Sequence, residues 1–149
     1  MNNTLYSILF AVMATACGGL SSPTDEQLCQ QAADFAKAYF NYDYPRAAEL
    51  AMPESARWLQ FAASNLTQAD LDVINAAEEA SVSIDDLTRI NDSTVTVTIE
   101  VENILLKDTI GQPPHVVSEA RYPLVLVSRD GRYLIKMEGL PQSERQSRD

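Results

Sequence analysis

Cys17 is the residue of this 149-residue chain whose type and position most clearly predict chemistry. It follows an apolar run, Leu5 to Ala16, that ends in the small residues Ala14-Thr15-Ala16. The run has about 12 residues, whereas a helix needs about 20 to cross a bilayer, so a removable export signal is favoured over a retained membrane span.

This arrangement resembles the signal of bacterial lipoproteins. The resemblance implies a signal peptide over residues 1–16, palmitate-type lipidation of Cys17 and a lipidated tether over residues 17–23. The protein would then be anchored to a membrane of the cell envelope. The outer membrane is favoured because no Asp follows Cys17. An alternative stays open, since an ordinary signal peptidase could also cut after Ala14-Thr15-Ala16 and leave Cys17 as an unmodified N-terminus.

The second cysteine, Cys29, is interpreted as a packing residue. It shares a helical stripe with Ala33, Ala36 and Phe40, and no histidine or basic residue nearby would lower its pKa. A disulfide between Cys29 and an unlipidated Cys17 is the alternative.

Acid–base catalysis needs a carboxylate or imidazole that is desolvated in an apolar pocket. Asp85 and Asp86 are adjacent, so in a regular strand one of them would point inward, although a solvated strand end or bulge is the favoured interpretation. His115 follows two prolines in a loop and has no second ligand at metal-binding spacing. The sequence therefore predicts no catalytic residue, no metal site and no cofactor, and we expect the protein not to be an enzyme.

Composition limits the partners of the chain. Its formal net charge of −10 predicts repulsion from nucleic acid and from anionic headgroups. Removal of residues 1–16 leaves one domain with enough length to bury a core.

Helix signals fill the first half of this domain. Thr24 and Gln27 form a capping-box pattern before an apolar face at helical spacing. Asp43 predicts the start of a second helix, Pro53 to Asn65 a third, and Thr67 the start of a fourth.

Strand signals fill the second half. Residues 81–90 predict an irregular strand, and residues 94–102 alternate without fault, with Val and Ile on the buried face. Residues 116–128 and 132–138 predict a hairpin around Asp130-Gly131. The domain is expected to span residues 24–140, with a polar, disordered tail over residues 141–149.

Two segments carry a resemblance to a known fold. Tyr39 to Ala48 is a helix end with an aromatic followed by a short Ala-rich helix, and Asp130-Gly131-Arg132-Tyr133 opens the last strand. Both resemble the nuclear transport factor two-like fold, and the pattern is most similar to small bacterial lipoproteins of unknown function with that fold. The resemblance implies an α+β domain in which three or four N-terminal helices pack on the concave face of a curved four-stranded antiparallel sheet, giving a cone.

The cone of this fold holds a ligand in some proteins, and aromatic residues are the candidates for lining it here. These side chains either line a pocket or fill the space inside the cone. The candidates are Phe35, Tyr39, Trp58, Phe61, Tyr122 and Tyr133. The leading interpretation is a lipid-anchored, non-enzymatic binding or interaction module of the cell envelope. Its partners would be the membrane and a small apolar ligand or an envelope protein. The alternatives are a small-molecule binding protein that uses the apolar cone and, third, an isomerase- or hydratase-like enzyme.

The outer face of the predicted hairpin carries Val125, Val127 and Leu134 beside charged residues. Three aliphatic side chains are too few for the centre of a standard interface of about 800 Å² per partner, so we expect a monomer.

Overall fold

The computed structural model describes residues 22–107 and 109–144. The predicted signal peptide, Cys17 and residues 145–149 lie outside the described residues. The helices come first: α1 Asp25–Phe40, α2 Tyr44–Glu49, a 3-10 helix Pro53–Ser55, α3 Ala56–Ser64 and α4 Gln68–Ala76. The strands follow: β1 Ser81–Asn91, β2 Thr94–Leu106, β3 His115–Arg129 and β4 Arg132–Lys136. They form one antiparallel sheet in the order β1-β2-β3-β4.

This architecture is the expected α+β arrangement of helices on one face of a curved, open sheet. The core lies between α1 and the inner face of the sheet. Alternation on β2 is confirmed, because the side chains of Val95, Val97, Ile99 and Val101 are fully buried while the Thr and Glu residues between them are not. No helix among the described residues is long and apolar enough to cross a membrane.

The helix starts follow the predicted caps. Thr24 with Gln27 and Thr67 with Asp70 form capping boxes, and the Asp43 side chain accepts a hydrogen bond from the Arg46 backbone. The segment predicted as one helix from Pro53 instead begins with the 3-10 turn. This turn is held against β4, since the Ser55 hydroxyl accepts a hydrogen bond of 2.8 Å from the Met137 backbone.

Helix α4 is attached mainly through a charge pair. Asp70 is its one buried residue, and the Lys107 Nζ lies 3.1 Å from Asp70 Oδ2, with side-chain exposures of 7% and 5%. The Thr67 backbone N–H, and then the Lys107 ammonium, lower the pKa of Asp70, so this carboxylate stays charged. Leu71 is exposed, because α4 stands off from the sheet.

Strand β1 contains a bulge that decides where its two aspartates point. The register with β2 shifts between Ile84 and Asp86, and both Asp85 and Asp86 are exposed. Asp85 Oδ2 lies 3.9 Å from Arg121, and Asp86 accepts a hydrogen bond from Thr88. Neither carboxylate enters the interior, because the extra residue of a bulge breaks strict alternation.

The outer edge of β4 is closed by the helical half of the chain. The Ile135 backbone accepts a hydrogen bond of 2.8 Å from Met52 and donates one of 2.9 Å to Leu50. The Gln31 side chain of α1 donates to the Tyr133 carbonyl. This edge is therefore paired, and the pairing fixes α1 and α2 against the sheet.

The outer-face residues Val125, Val127 and Leu134 are half-buried, and Val127 is paired with Leu134 across the hairpin as predicted. The expected monomeric state stays a prediction.

Strand-face assignment can be tested on β2. We expect Val97→Asp to destabilise the domain by about 5 kcal/mol or more, since it buries an unpaired charge, and this is comparable with the whole stability of a small domain. Thr96→Asp, on the outer face, should cost less than about 1 kcal/mol. Urea unfolding of both variants is the measurement, and equal losses would contradict the assignment.

Candidate functional site

Strand β4 ends where β3 carries a proline. The register that pairs Val125 with Lys136 would place Glu138 opposite Pro123. Proline has no backbone N–H to donate, so the ladder cannot continue there. The chain leaves the sheet and returns at Glu144, whose backbone N–H donates to the Arg121 carbonyl at 2.8 Å. A gap in the sheet edge results between these two contacts.

This gap opens into a cavity of about 510 Å³, here called the terminal cavity. Its apolar wall comes from α1, β3, β4 and the segment after β4, and consists of Phe35, Leu124, Ile135, Met137, Leu140 and Pro141. Lys136 and Glu138 also line it, and their charged atoms lie 3.2 Å apart with side chains 48% and 82% exposed. The cavity can therefore accept an apolar group, but the carboxylate that lines it is solvated.

Of the six aromatic candidates, Phe35 lines the terminal cavity. Tyr122 and Tyr133 are buried in the core, and Trp58 packs partly buried against it. Phe61 is 48% exposed, so its ring lies on the solvent side of α3. Whether any of these residues contacts a ligand stays a prediction.

An aromatic cluster occupies the middle of the cone. The Tyr39 ring lies 6.0 Å from Phe35, 5.1 Å from Phe40 and 5.7 Å from Tyr44. Phe40 in turn lies 4.6 Å from Tyr122. Phe40 and Tyr44 are not among the pocket residues predicted from the sequence, although Phe40 belongs to the helical stripe of Cys29.

The space beside this cluster is too small for a ligand. The cavity lined by Tyr39, Phe40, Tyr42 and Tyr44 has a volume of about 60 Å³, room for about one or two water molecules. Burial, and then the neighbouring phenols, raise the pKa values of Tyr39 and Tyr44. The rings therefore fill the centre of the cone, and the larger space lies at its end.

Three other side chains carry groups that a site could use, and none of them lines the two cavities described above. Burial, and then Asp25, raise the pKa of Cys29, which disfavours the reactive thiolate of this partly buried residue. His115 is exposed in the structure. The Trp58 Nε1 is buried without a hydrogen-bond partner among the described residues, while the Arg57 guanidinium lies 5.0 Å above the ring.

Carboxylates approach one another on the outer face of the sheet. Ligand oxygens of Glu100, Glu102 and Glu119 lie within 4.8 Å of one another. Arg121 lies 3.3 Å from Glu100 and offsets part of this charge. The group is largely exposed, and exposed acidic groups of this kind are common without a metal.

Comparison with solved structures supports the fold. An NTF-2 like protein of unknown function from Shewanella oneidensis MR-1 superposes with a TM-score of 0.50 at 10% sequence identity, over 72% of this chain and 90% of that chain. An NTF2-like protein involved in plasmid conjugation gives a TM-score of 0.48 at 13% identity, over 83% of this chain but half of that one. No family model and no curated protein sequence matches the chain.

The first of these similarities, together with the observed topology, shows the nuclear transport factor two-like fold. At this identity it shows the fold alone, and a fold of this kind does not determine an activity.

The aromatic cluster predicts a loss of stability at alkaline pH. Tyr39 and Tyr44 have folded-state pKa values above their ordinary value of 10.0. The two protonated phenols contribute to the free energy of unfolding. This contribution is complete below pH 10 and is lost as the pH rises toward the folded-state pKa, because the unfolded chain releases these protons first. The urea midpoint should therefore fall less between pH 9 and pH 11 in the double variant Tyr39→Phe/Tyr44→Phe than in the wild type. An equal fall would contradict the prediction.

Proposed function

We propose that this protein is a lipid-anchored, non-enzymatic binding module of a bacterial cell envelope, and that it binds an apolar group in the terminal cavity. The observation that carries the proposal is the cavity itself, which Pro123 opens at the sheet edge. Its volume of about 510 Å³ lies within the range of small-molecule sites, about 300–1,000 Å³.

The lining of the terminal cavity supports binding over catalysis. General acid–base chemistry needs a titratable group that burial or a neighbouring charge has tuned. Glu138 is the carboxylate that lines this cavity, and its side chain is 82% exposed and beside Lys136. An isomerase- or hydratase-like activity would need such a group inside the wall, which here consists of Phe35, Leu124, Ile135 and Met137.

The ligand has an apolar part of limited size. The wall offers one aromatic ring and several flexible aliphatic side chains, among them Met137 and Leu140, which adapt to irregular shapes. A small apolar molecule fits this description, and so does an apolar side chain of an envelope protein partner. Lys136 and Glu138 at the rim can orient a polar end through hydrogen bonds.

The proposed membrane anchor is inferred from the sequence around Cys17. Eight residues from Cys17 to Asp25 span at most about 28 Å when extended, so a lipid on Cys17 would hold α1 close to the membrane. Asp25, at the start of α1, pairs with Arg89 near the β1–β2 hairpin. This end of the domain would then face the lipid surface.

Filling the terminal cavity tests the binding proposal. A side chain at Gly139, which lines the cavity, meets no atom within 4 Å at its Cβ. Gly139→Phe should therefore weaken binding of the fluorescent probe 1-anilinonaphthalene-8-sulfonate by about tenfold, the equivalent of about 1.4 kcal/mol.

Leu134→Phe, on the outer face of β4, is the matched control and should bind the probe as the wild type does. If Gly139→Phe binds the probe as tightly as the wild type while remaining folded, the terminal cavity is not the binding site.

Substitution of the lipid-accepting cysteine tests the anchor. The wild type should fractionate with membranes and carry an added lipid mass at residue 17. Cys17→Ser should release the protein or block its processing, whereas Cys29→Ser, which changes the cysteine of α1, should remain with the membranes. Soluble wild type with an unmodified residue 17 would rule out lipidation.

A further inference from the structure

Leu140 lies between two cavities. It lines the terminal cavity, and it also lines the cavity of about 60 Å³ beside the aromatic cluster, here called the central cavity. Phe35 lines the terminal cavity and Tyr39 the central one, and the two rings stack with their centroids 6.0 Å apart. The Leu140 side chain therefore closes the terminal cavity on the side of the aromatic cluster.

The segment that carries this side chain, residues 138–143, is here called the strap. Just before the strap, the Met137 backbone N–H donates to the Ser55 hydroxyl at 2.8 Å. Just after it, the Glu144 backbone N–H donates to the Arg121 carbonyl at 2.8 Å. Between these two bonds, no backbone group of the strap is hydrogen-bonded to the residues that the structure describes. A change of side chain within the strap therefore leaves the sheet and its ladder in place.

Packing around Leu140 is incomplete. The residue is only partly buried, and a cavity lies on each of two sides of its side chain. A Cβ at the preceding residue, Gly139, would meet no atom within 4 Å, so the strap is loosely packed there. A side chain that borders empty space has few van der Waals partners to lose. A smaller residue at this position should therefore be tolerated.

The central cavity would lengthen the terminal cavity if Leu140 were smaller. Alone it is too small for a ligand, but several aliphatic side chains line it and could contact an apolar chain end. They are Ala62, Leu66, Leu105 and Leu106. The terminal cavity already follows the chain over residues 135–142, and the added space would continue it past the Phe35 ring toward Tyr39. The joined space would suit a long, thin ligand.

The lining of the terminal cavity favours a hydrocarbon chain over a polar ring. Its charged side chains, Lys136 and Glu138, are exposed at the rim. The inner wall has side chains that cannot donate a hydrogen bond, namely Phe35, Leu124, Ile135 and Met137. Polar atoms of a ligand would lose their hydrogen bonds to water there without replacement. A hydrocarbon chain has no such atoms, and each methylene that it buries should tighten binding about fourfold.

We infer that the terminal cavity binds a linear aliphatic chain and that Leu140 sets the length of chain that it accepts. This inference rests on the proposed function, because it requires that the terminal cavity binds an apolar group. The chain ends against Leu140, and its polar end lies at the rim beside Lys136 and Glu138. With a smaller side chain at residue 140, the end of the ligand reaches the central cavity.

A series of unbranched primary alcohols from butanol to decanol measures the length of the site. Each alcohol is titrated into the purified protein and binding is followed by calorimetry. In the wild type, affinity should rise about fourfold per methylene until the chain reaches Leu140, and then stay constant. In Leu140→Ala the rise should continue for about three more methylenes, the number of carbons that the substitution removes. The longest alcohols should then bind the variant about fiftyfold more tightly than the wild type.

Three further variants serve as controls. Leu140→Met nearly conserves volume and should reach constant affinity at the same chain length as the wild type. Leu140→Phe has a larger side chain and should reach it at a shorter length. Leu134→Ala removes the same carbons from the outer face of β4, where the residue lines neither cavity, and should behave as the wild type does. Melting temperatures establish that each variant is folded.

The outcomes separate this inference from the proposed function. If Leu140→Ala and Leu140→Phe reach constant affinity at the wild-type chain length, the inference is wrong and binding in the terminal cavity stands. Tighter binding of short and long alcohols alike in Leu140→Ala would also overturn it, since a residue that limits length affects only chains that reach it. If the wild type binds none of the alcohols, both proposals fail.

Discussion

The pairing of the outer edge of β4 is the constraint on which the rest of the structure depends. Leu50 and Met52 bond to Ile135, Ser55 bonds to Met137, and Gln31 bonds to Tyr133. An unpaired buried backbone group costs as much as a lost hydrogen bond, so these contacts fix the position of the helical layer as well as the edge. The helices can therefore cover only one face of the sheet, and the core between them is defined.

The two ends of the cone differ because the strands end differently. On β3, Pro123 stops the ladder with β4, and the departing chain leaves an apolar gap. At the other end, the Asn41 side chain ties the C-terminus of α1 to Ala80, just before β1 begins. Aromatic packing around Tyr39 fills the space between. The protein thus offers an apolar cavity at one end of the cone and a filled core in its middle.

The net charge of −10 is the sum of groups that lie in different environments. Part of it is neutralised in pairs such as Asp70 with Lys107 and Glu54 with Arg129. Another part lies on the outer face of the sheet, where Glu100, Glu102 and Glu119 approach one another. The placement of these charges, as well as their sum, sets the electrostatic potential at the surface of the domain.

Much of the fold could be predicted from local sequence, because the signals involved act over a few residues. The caps at Thr24 and Thr67 and the alternation of β2 depend on neighbours within one turn or one strand. The terminal cavity was not predictable in this way, since Pro123 matters only once β4 lies beside it. Likewise, the exposure of Phe61 depends on how segments distant in sequence meet, and so does the outward position of Asp85. Local patterns determined the elements and their buried faces, whereas the tertiary structure decided which side chains share a cavity, because contact between distant segments is set by packing and register.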